Sequence, residues 1–258
     1  MRIERLAELL RESGTCVVLT GAGVSTESGI PDFRSPTGIW AQYDPMQYAT
    51  IEAFLANPAK VWEFYGMRLT ALGRAEPNDG HRAIAELEER GWVRALITQN
   101  VDGLHASAGS RDIVEVHGSL RDAVCLDCGT RVPMEDAVAL LPEPPCPSCG
   151  RTLKPGVVMF GELLPEAAID RAFRLAAEAA LLLVVGSSLE VYPVASLPAE
   201  TLAAGGRLAV VNRGGTPFDL RAAVVIDAGA GETLCALADH VPAAPSSRAE
   251  VPGPVMEA

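Results

Sequence analysis

The sequence predicts an α/β protein, a doubly wound parallel sheet carrying a smaller inserted domain. Three observations predict it. Six short apolar runs mostly end in Gly, Ser or Asn, helical stretches separate several of them, and two segments, one helical and one with paired cysteines, break the alternation. At 258 residues and 48% apolar content the chain is long enough for one large domain with an inserted module and a packed core.

The elements follow in order. "MRIERLAELLRESG" reads as an amphipathic helix without the apolar core and cleavage site of a signal peptide. "TCVVLTGAG" is the first strand, β-branched and apolar on both sides as buried parallel strands are. Within residues 36–78, "IEAFLANPAKVWEFYGMRLTALG" is a helical insert. "PNDGHRAIAELEERG" has Leu, Ile and Ala at helical spacing and a closing Gly91. "VRALITQNVDG" and "DIVEVHGSL" are the next strands. Residues 119–155 hold the cysteine pairs and the Pro-rich "LLPEPPCP", and the two interrupting segments are expected to pack together. "PEAAIDRAFRLAAEAA" is a helix, and "LLLVVGSSL", "RLAVVN" and "AAVVID" complete the strands. The tail 241–258, rich in Pro, Ala and Ser, is expected to be disordered. Ligands in such sheets bind at the strands' carboxyl ends, which here carry "GAG", "TQNVD", "HG", "GSS" and "N". All five are expected to converge on one crevice.

Composition narrows the function. A net charge of −12 argues against a nucleic-acid surface, which needs clustered Lys and Arg, and suits a basic partner such as a lysine-bearing peptide. No 18-residue apolar run exists, so a soluble, cytoplasmic protein with no membrane partner is the expectation. Four of six cysteines, Cys125, Cys128, Cys146 and Cys149, form "CLDC" and "CPSC" with seventeen residues between the pairs, the spacing of a zinc ribbon. Four thiolates fill a tetrahedron and leave no position open for substrate, so the zinc is structural and the chemistry lies elsewhere. Cys16 and Cys235 read as small buried hydrophobes.

Several residues are candidates on their own chemistry. Backbone amides of Gly21, Ala22 and Gly23 at a helix start suit a pyrophosphate, or the glycines form a tight turn without a ligand. Gln99, Asn100 and Asp102 lie just past a strand, able to hold hydroxyls or a carboxamide, or simply to form the turn. His117 ends a strand before a glycine, and a neutral imidazole there can act as general base; a structural role is the alternative. His81, at a helix start, reads as a cap or packing residue, and His105 as packed or solvent-facing. Tyr65 and Arg68, three apart on a helix, share a face and could jointly hold a carboxylate, although such pairs are usually surface decoration.

The motifs "GAGVSTESGIPDFRS", "TQNVDGLH", "HGSL", the paired "CxxC", "KPGVVMFGE", "GSSLEVYPVA" and "VNRGG" together resemble, in order and approximate spacing, the sirtuins, NAD-dependent protein lysine deacylases. The match covers Arg2 to about Leu237. It implies a Rossmann-like large domain over 1–35, 79–118 and 156–240, and a small domain made of a helical module (36–78) and a zinc-binding module (119–155). By resemblance, Gly21, Ala22, Gly23 and Thr26 belong to the NAD site. "STESGIPDFRS" then begins the loop closing over NAD, with Asp32, Phe33 and Arg34 near the nicotinamide ribose and Phe33 shielding the reactive carbon. Gln99 is implied to contact the ribose, Asn100 and Asp102 to form the nicotinamide pocket, and His117 to activate the ribose hydroxyls, with His117 and Asn100 the catalytic pair. Gly186, Ser187, Ser188 and Asn212 would hold the adenosine half, with a backbone contact to adenine from Ala230.

"GVVMFGELLP" and "GSSLEVYPV" resemble the segments that sandwich the substrate backbone as an added strand. Val158, Phe160 and Val191 would line the acyl-lysine tunnel, and Gly161 and Glu162 complete the substrate segment. Tyr65 and Arg68 coincide with the Tyr-x-x-Arg of the sirtuin branch that removes succinyl and malonyl groups. The implied reaction consumes NAD as a cosubstrate. The acyl oxygen attacks C1' of the nicotinamide ribose, expels nicotinamide, and the alkylimidate is resolved to free lysine and O-acyl-ADP-ribose. The implied partners are acyl-lysine peptides or proteins, with one structural zinc and a monomeric state expected. A dehydrogenase fingerprint would place a third glycine where Thr26 stands. A protein mono-ADP-ribosyltransferase on the same fold and a noncatalytic NAD or zinc interaction module remain as alternatives.

Overall fold

The structure, a computed structural model, describes residues 2–244. Along the chain run α1 (Arg2–Ser13), β1 (Cys16–Thr20), α2 (Pro45–Tyr48), α3 (Ile51–Ala56), α4 (Pro58–Leu72), α5 (Asp79–Glu89), β2 (Val93–Thr98), α6 (Leu104–Ser107), β3 (Ile113–Glu115), β4 (Gly118–Cys125), β5 (Arg131–Pro133), α7 (Met134–Val138), β6 (Leu153–Val157), α8 (Glu166–Glu178), β7 (Leu181–Val185), α9 (Leu197–Ala203), β8 (Arg207–Val211), β9 (Val224–Ile226) and α10 (Ala230–His240).

The six predicted apolar runs form one sheet in the order β3-β2-β1-β7-β8-β9, parallel throughout. Counted within that sheet the order is the doubly wound 3-2-1-4-5-6, which places the topological switch between β1 and β7. Each face is covered because the strands are apolar on both sides. One core joins the sheet to α1, α5 and α10 through Leu6, Leu10, Ile84, Leu87, Leu234 and Leu237. The other joins it to α8 and α9 through Ala172, Leu175, Ala176 and Leu197.

A second sheet, β5-β4-β6, is antiparallel and carries the cysteine pairs. It shares a third apolar core with the helical insert: Phe54, Val61, Trp62 and Phe64 pack with Leu120, Ala123, Leu153 and Met159. The Trp62 indole donates to Leu153 O at 2.7 Å, so its one polar atom is satisfied inside that core.

Four local features differ from the sequence reading. The insert is not one helix: Asn57 caps α4 by accepting the Lys60 amide, and Pro58 in the first turn ends α3 before it. After β1 the chain forms a seven-residue 3₁₀ helix, Ala22–Ser28, not an α-helix. "DIVEVHGSL" is split, with β3 ending at Glu115 in the large sheet and β4 starting at Gly118 in the small one, so His117 sits at the crossing between them. Gly118, at φ +74°, makes that turn, and a side chain there would meet Gly156 O. The predicted tail begins packed: Val241 is buried, Pro242 O accepts the Trp92 indole N–H, and the Ala244 amide donates to Arg90 O. Its residues 245–258 lie outside the described residues.

Candidate active site

The carboxyl ends of β1, β2, β7 and β8 open into one cleft of about 1080 Å³. Gly21, Ala22, Gly23, Thr26, Asp32, Phe33, Arg34, Gln99, Asn100, His117, Gly186, Ser187, Ser188, Asn212 and Ala230 all line it. So do Tyr65, Arg68, Val158, Phe160, Gly161, Glu162 and Val191. The five strand-end motifs therefore converge as expected. Asp102 stands apart, in a recess of about 30 Å³ that it shares with Ser25, Phe33, Arg68, Gln99 and Asn100.

The glycines at the switch allow close backbone approach. A Cβ on Gly186, at φ +61°, would lie 2.3 Å from the Val24 amide, and one on Gly23 would lie 2.8 Å from Gly186 Cα. This contact also decides which amides of the loop are free. The Gly21 amide donates to Val185 O at 3.2 Å and the Gly23 amide to Gly186 O at 2.8 Å, so both are committed to joining the β1 and β7 loops. No such bond ties the Ala22 amide among the described residues, which leaves it as the donor of the three suited to an anion. Asn212 is likewise partly committed, its amide donating to Arg213 O and Gly214 O.

Behind the cleft lies a polar network whose hub, Ser25, sequence reasoning passed over. Backbone N–H groups fix its directions. His81 Nδ1 accepts the Asn78 amide at 3.3 Å, so Nε2 bears the proton and faces Ser25 Oγ at 3.4 Å. Asn100 Nδ2 donates to the same oxygen at 3.0 Å, and Ser25 in turn donates to Asp102 Oδ2 at 2.7 Å. The Leu104 amide holds the other carboxylate oxygen at 2.9 Å. Asn100 and Asp102 are thus aimed by Ser25, and His81 caps α5 while supporting it. The only sequence signal for Ser25 was its place in the glycine-rich stretch. His105 is packed, its Nε2 3.0 Å from Thr20 Oγ1, and burial pushes its imidazole down to about 3.

His117 shows which of its nitrogens is basic. Nδ1 lies 3.1 Å from Gln99 O, and a carbonyl only accepts, so Nδ1 carries the proton and Nε2 the lone pair. Burial lowers the imidazole below its usual pKa, against the opposing hydrogen bond it donates to Gln99 O. The same Gln99 donates its side-chain amide to Ser187 Oγ at 2.9 Å, tying the β2 end to the β7 end.

Tyr65 and Arg68 do share one face of α4, directed to the cleft. Burial pushes the Tyr65 phenol up to about 12, and burial also lowers the Arg68 guanidinium. That guanidinium is caged by aromatic rings, 5.1 Å from the Phe33 centroid, 5.7 Å from Phe64 and 6.0 Å from Tyr65. Among the described residues no carboxylate forms an ion pair with it. Glu162, by contrast, has a cationic partner. One carboxylate oxygen, Oε2, is bound to Lys154 Nζ at 3.0 Å and to the Met159 amide at 2.8 Å, so Glu162 braces its own segment while still lining the cleft.

Away from the cleft, the four sulfurs of Cys125, Cys128, Cys146 and Cys149 lie within 4.8 Å of one another. Cys125 and Cys149 are 3.5 Å apart, and Cys128 and Cys146 3.6 Å. Thiolates ~2.3 Å from a tetrahedral zinc stand about 3.8 Å apart, so the donor set and its spacing fit that ion.

Comparison with known proteins gives a consistent picture. Residues 21–193 match the Sir2 family. A protein named NAD-dependent protein deacylase from Thermus thermophilus is 46% identical over 96% of this chain and 98% of its own length. NAD-dependent protein deacylase 1 of Archaeoglobus fulgidus is 44% identical over 92% of this chain and 97% of its own. Among solved structures, a Sir2 complex with a p53 peptide and NAD+ superposes with a TM-score of 0.86 at 38% identity, covering 93% of this chain and 98% of that one. A Sir2 bound to a propionylated peptide gives 0.85 at the same identity and coverage.

Proposed function

The chain belongs to the Sir2 family, and from that premise we propose that it removes acyl groups from protein lysines at the expense of NAD, releasing nicotinamide and O-acyl-ADP-ribose. The observation that carries this reading is His117, a neutral base with its lone pair on Nε2, in the same cleft as the β1–β7 switch and the segment Val158–Glu162. Bound there, NAD supplies an anomeric carbon whose glycosidic bond to nicotinamide can break. The chain's residues prepare that event. Asn100 and Asp102, held by Ser25, form the recess proposed for the nicotinamide, and Phe33 covers its mouth against water. His117 Nε2 takes a proton from a ribose hydroxyl, and the Gln99 carbonyl stabilises the imidazolium that forms. Ser187, Ser188, Asn212 and Ala230 are proposed for the adenosine end and Gly21, Ala22, Gly23 and Thr26 for the pyrophosphate, with Ala22 the principal amide donor. Asp32 and Arg34 complete the cofactor loop. Val158, Phe160 and Val191 are proposed to flank the acyl-lysine.

The finer substrate class rests on Arg68. A half-buried cation with no carboxylate in direct contact, only Asp102 acting on it from a distance, is costly to keep, and an acyl chain ending in a carboxylate would pair with it and with the Tyr65 hydroxyl. Succinyl- and malonyl-lysine are therefore proposed as substrates beside acetyl-lysine. A panel of acetyl-, succinyl- and malonyl-lysine peptides with NAD, read by mass spectrometry, tests both levels. Deacylation yields O-acyl-ADP-ribose, whereas a mass gain on protein would mark ADP-ribosyl transfer. Arg68→Met should lower succinyl turnover by about tenfold or more while sparing acetyl turnover. Succinyl turnover unchanged by that substitution would sink the carboxylate assignment.

A further inference from the structure

The segment from Val157 to Glu162 leaves the cysteine-bearing sheet and enters the cleft, and its geometry is fixed by a buried ion pair. Lys154 sits on β6 opposite Val124, with its side chain 3% exposed. Its ammonium has three donors and all are spent: on Pro155 O at 3.1 Å, on Val157 O at 2.5 Å and on Glu162 Oε2 at 3.0 Å. Glu162 Oε2 also accepts the Met159 amide at 2.8 Å, and the Glu162 amide donates to Met159 O at 3.0 Å. Residues 157, 159 and 162 are thereby tied to one another from one side. From the other side, the Val158 amide donates to His117 O at 2.8 Å, and Phe160 exchanges backbone bonds with Ala49 and Ile51 at 2.8 and 2.9 Å.

A buried ion pair is a weak source of stability, because apolar residues of similar volume serve a fold as well. What this pair adds is a defined backbone path beside the acyl-lysine position, in a segment whose Val158 amide is bound to the carbonyl of the base. An incoming peptide can add a strand only to an edge held extended and in place. We propose that Lys154 and Glu162 are positioning residues for substrate, setting the peptide-binding segment and its distance from His117 without touching the peptide. This rests on the peptide-groove reading above.

Steady-state kinetics with an acetyl-lysine peptide and NAD varied separately test it, on wild type, Lys154→Met and Glu162→Gln. The expected result is a peptide KM raised about tenfold in Lys154→Met and several-fold in Glu162→Gln, with the NAD KM within about twofold of wild type. Glu162→Gln keeps a carbonyl acceptor for the Met159 amide, so it decides the matter if Lys154→Met does not fold. A peptide KM within about twofold of wild type in Glu162→Gln overturns the proposal, as does an equal rise in both KM values, which is general loosening of the fold. If wild type turns over no acyl-peptide, the functional reading falls and this one with it. An active wild type with unmoved variants defeats this one alone.

Discussion

At the scale of single residues, protonation is decided by neighbours that can only accept or only donate. The Gln99 carbonyl fixes the proton of His117 on Nδ1, and burial favours the neutral ring. The folded pKa lies below 6.5, so the lone pair on Nε2 is present through neutral pH and is lost as pH falls through that lowered value. The acidic limb of a kcat/KM against pH profile should therefore fall below pH 6.5, and His117→Ala should remove that limb and lower the rate by ~10² or more. A limb at the same pH in His117→Ala would assign it to another group. Arg68 follows similar logic, its charge facing three aromatic rings at close range with the Asp102 carboxylate acting only from a distance. His81 and His105, read from the sequence as a cap or packing residue and as packed or solvent-facing, serve as a cap and brace and as a residue packed against Thr20.

At the scale of elements, the short connections between strands and helices do the positioning. Asn78 accepts the amides of Gly80 and His81 at the start of α5, while its own amide donates to Val24 O at 2.8 Å and Ser28 Oγ at 3.0 Å. One side chain thus caps a helix and holds the 3₁₀ turn that carries Ser25. Asn78→Ala should cost about 1–2 kcal/mol in urea or thermal unfolding, the upper range for a lost cap, because the 3₁₀ turn loses its anchor as well. A loss under about 0.3 kcal/mol would show that the turn is held by other contacts. The helices themselves were legible from apolar spacing, since α1, α5 and α8 each have one apolar face on the sheet. The break between α3 and α4 was also written in the residues, as Asn57 followed by Pro58, but the longer apolar pattern across it masked the stop.

At the scale of the whole molecule, two sheets with separate cores meet at the cleft, and the cysteine cluster lies outside it. Cys125 and Cys146 belong to the third core, and Leu153 pairs with Cys125 on the strand that carries Lys154. Metal removal should therefore act on peptide binding through the fold, not on the chemical step. A thiol-displacement titration should release one zinc per chain, and chelation should lower the thermal midpoint together with peptide affinity. Full stability after complete zinc release would mean that the small sheet holds without it. Among the described residues no helix is long and apolar enough to cross a membrane.

The amino-acid sequence by itself determined the parallel sheet, its helices, the cysteine site and the family. Those are written in local patterns, apolar periodicity and ligand spacing, that need no distant partner to be read. Tertiary structure alone decided how the individual groups are used. Gly21 and Gly23 spend their amides on the β7 loop, and Glu162 commits one carboxylate oxygen to Lys154 and the Met159 amide. Ser25 becomes a hub only when residues 81, 100 and 102 reach it from other elements. A hydrogen bond depends on which donor and acceptor meet in space, and those partners lie tens of residues apart in the chain.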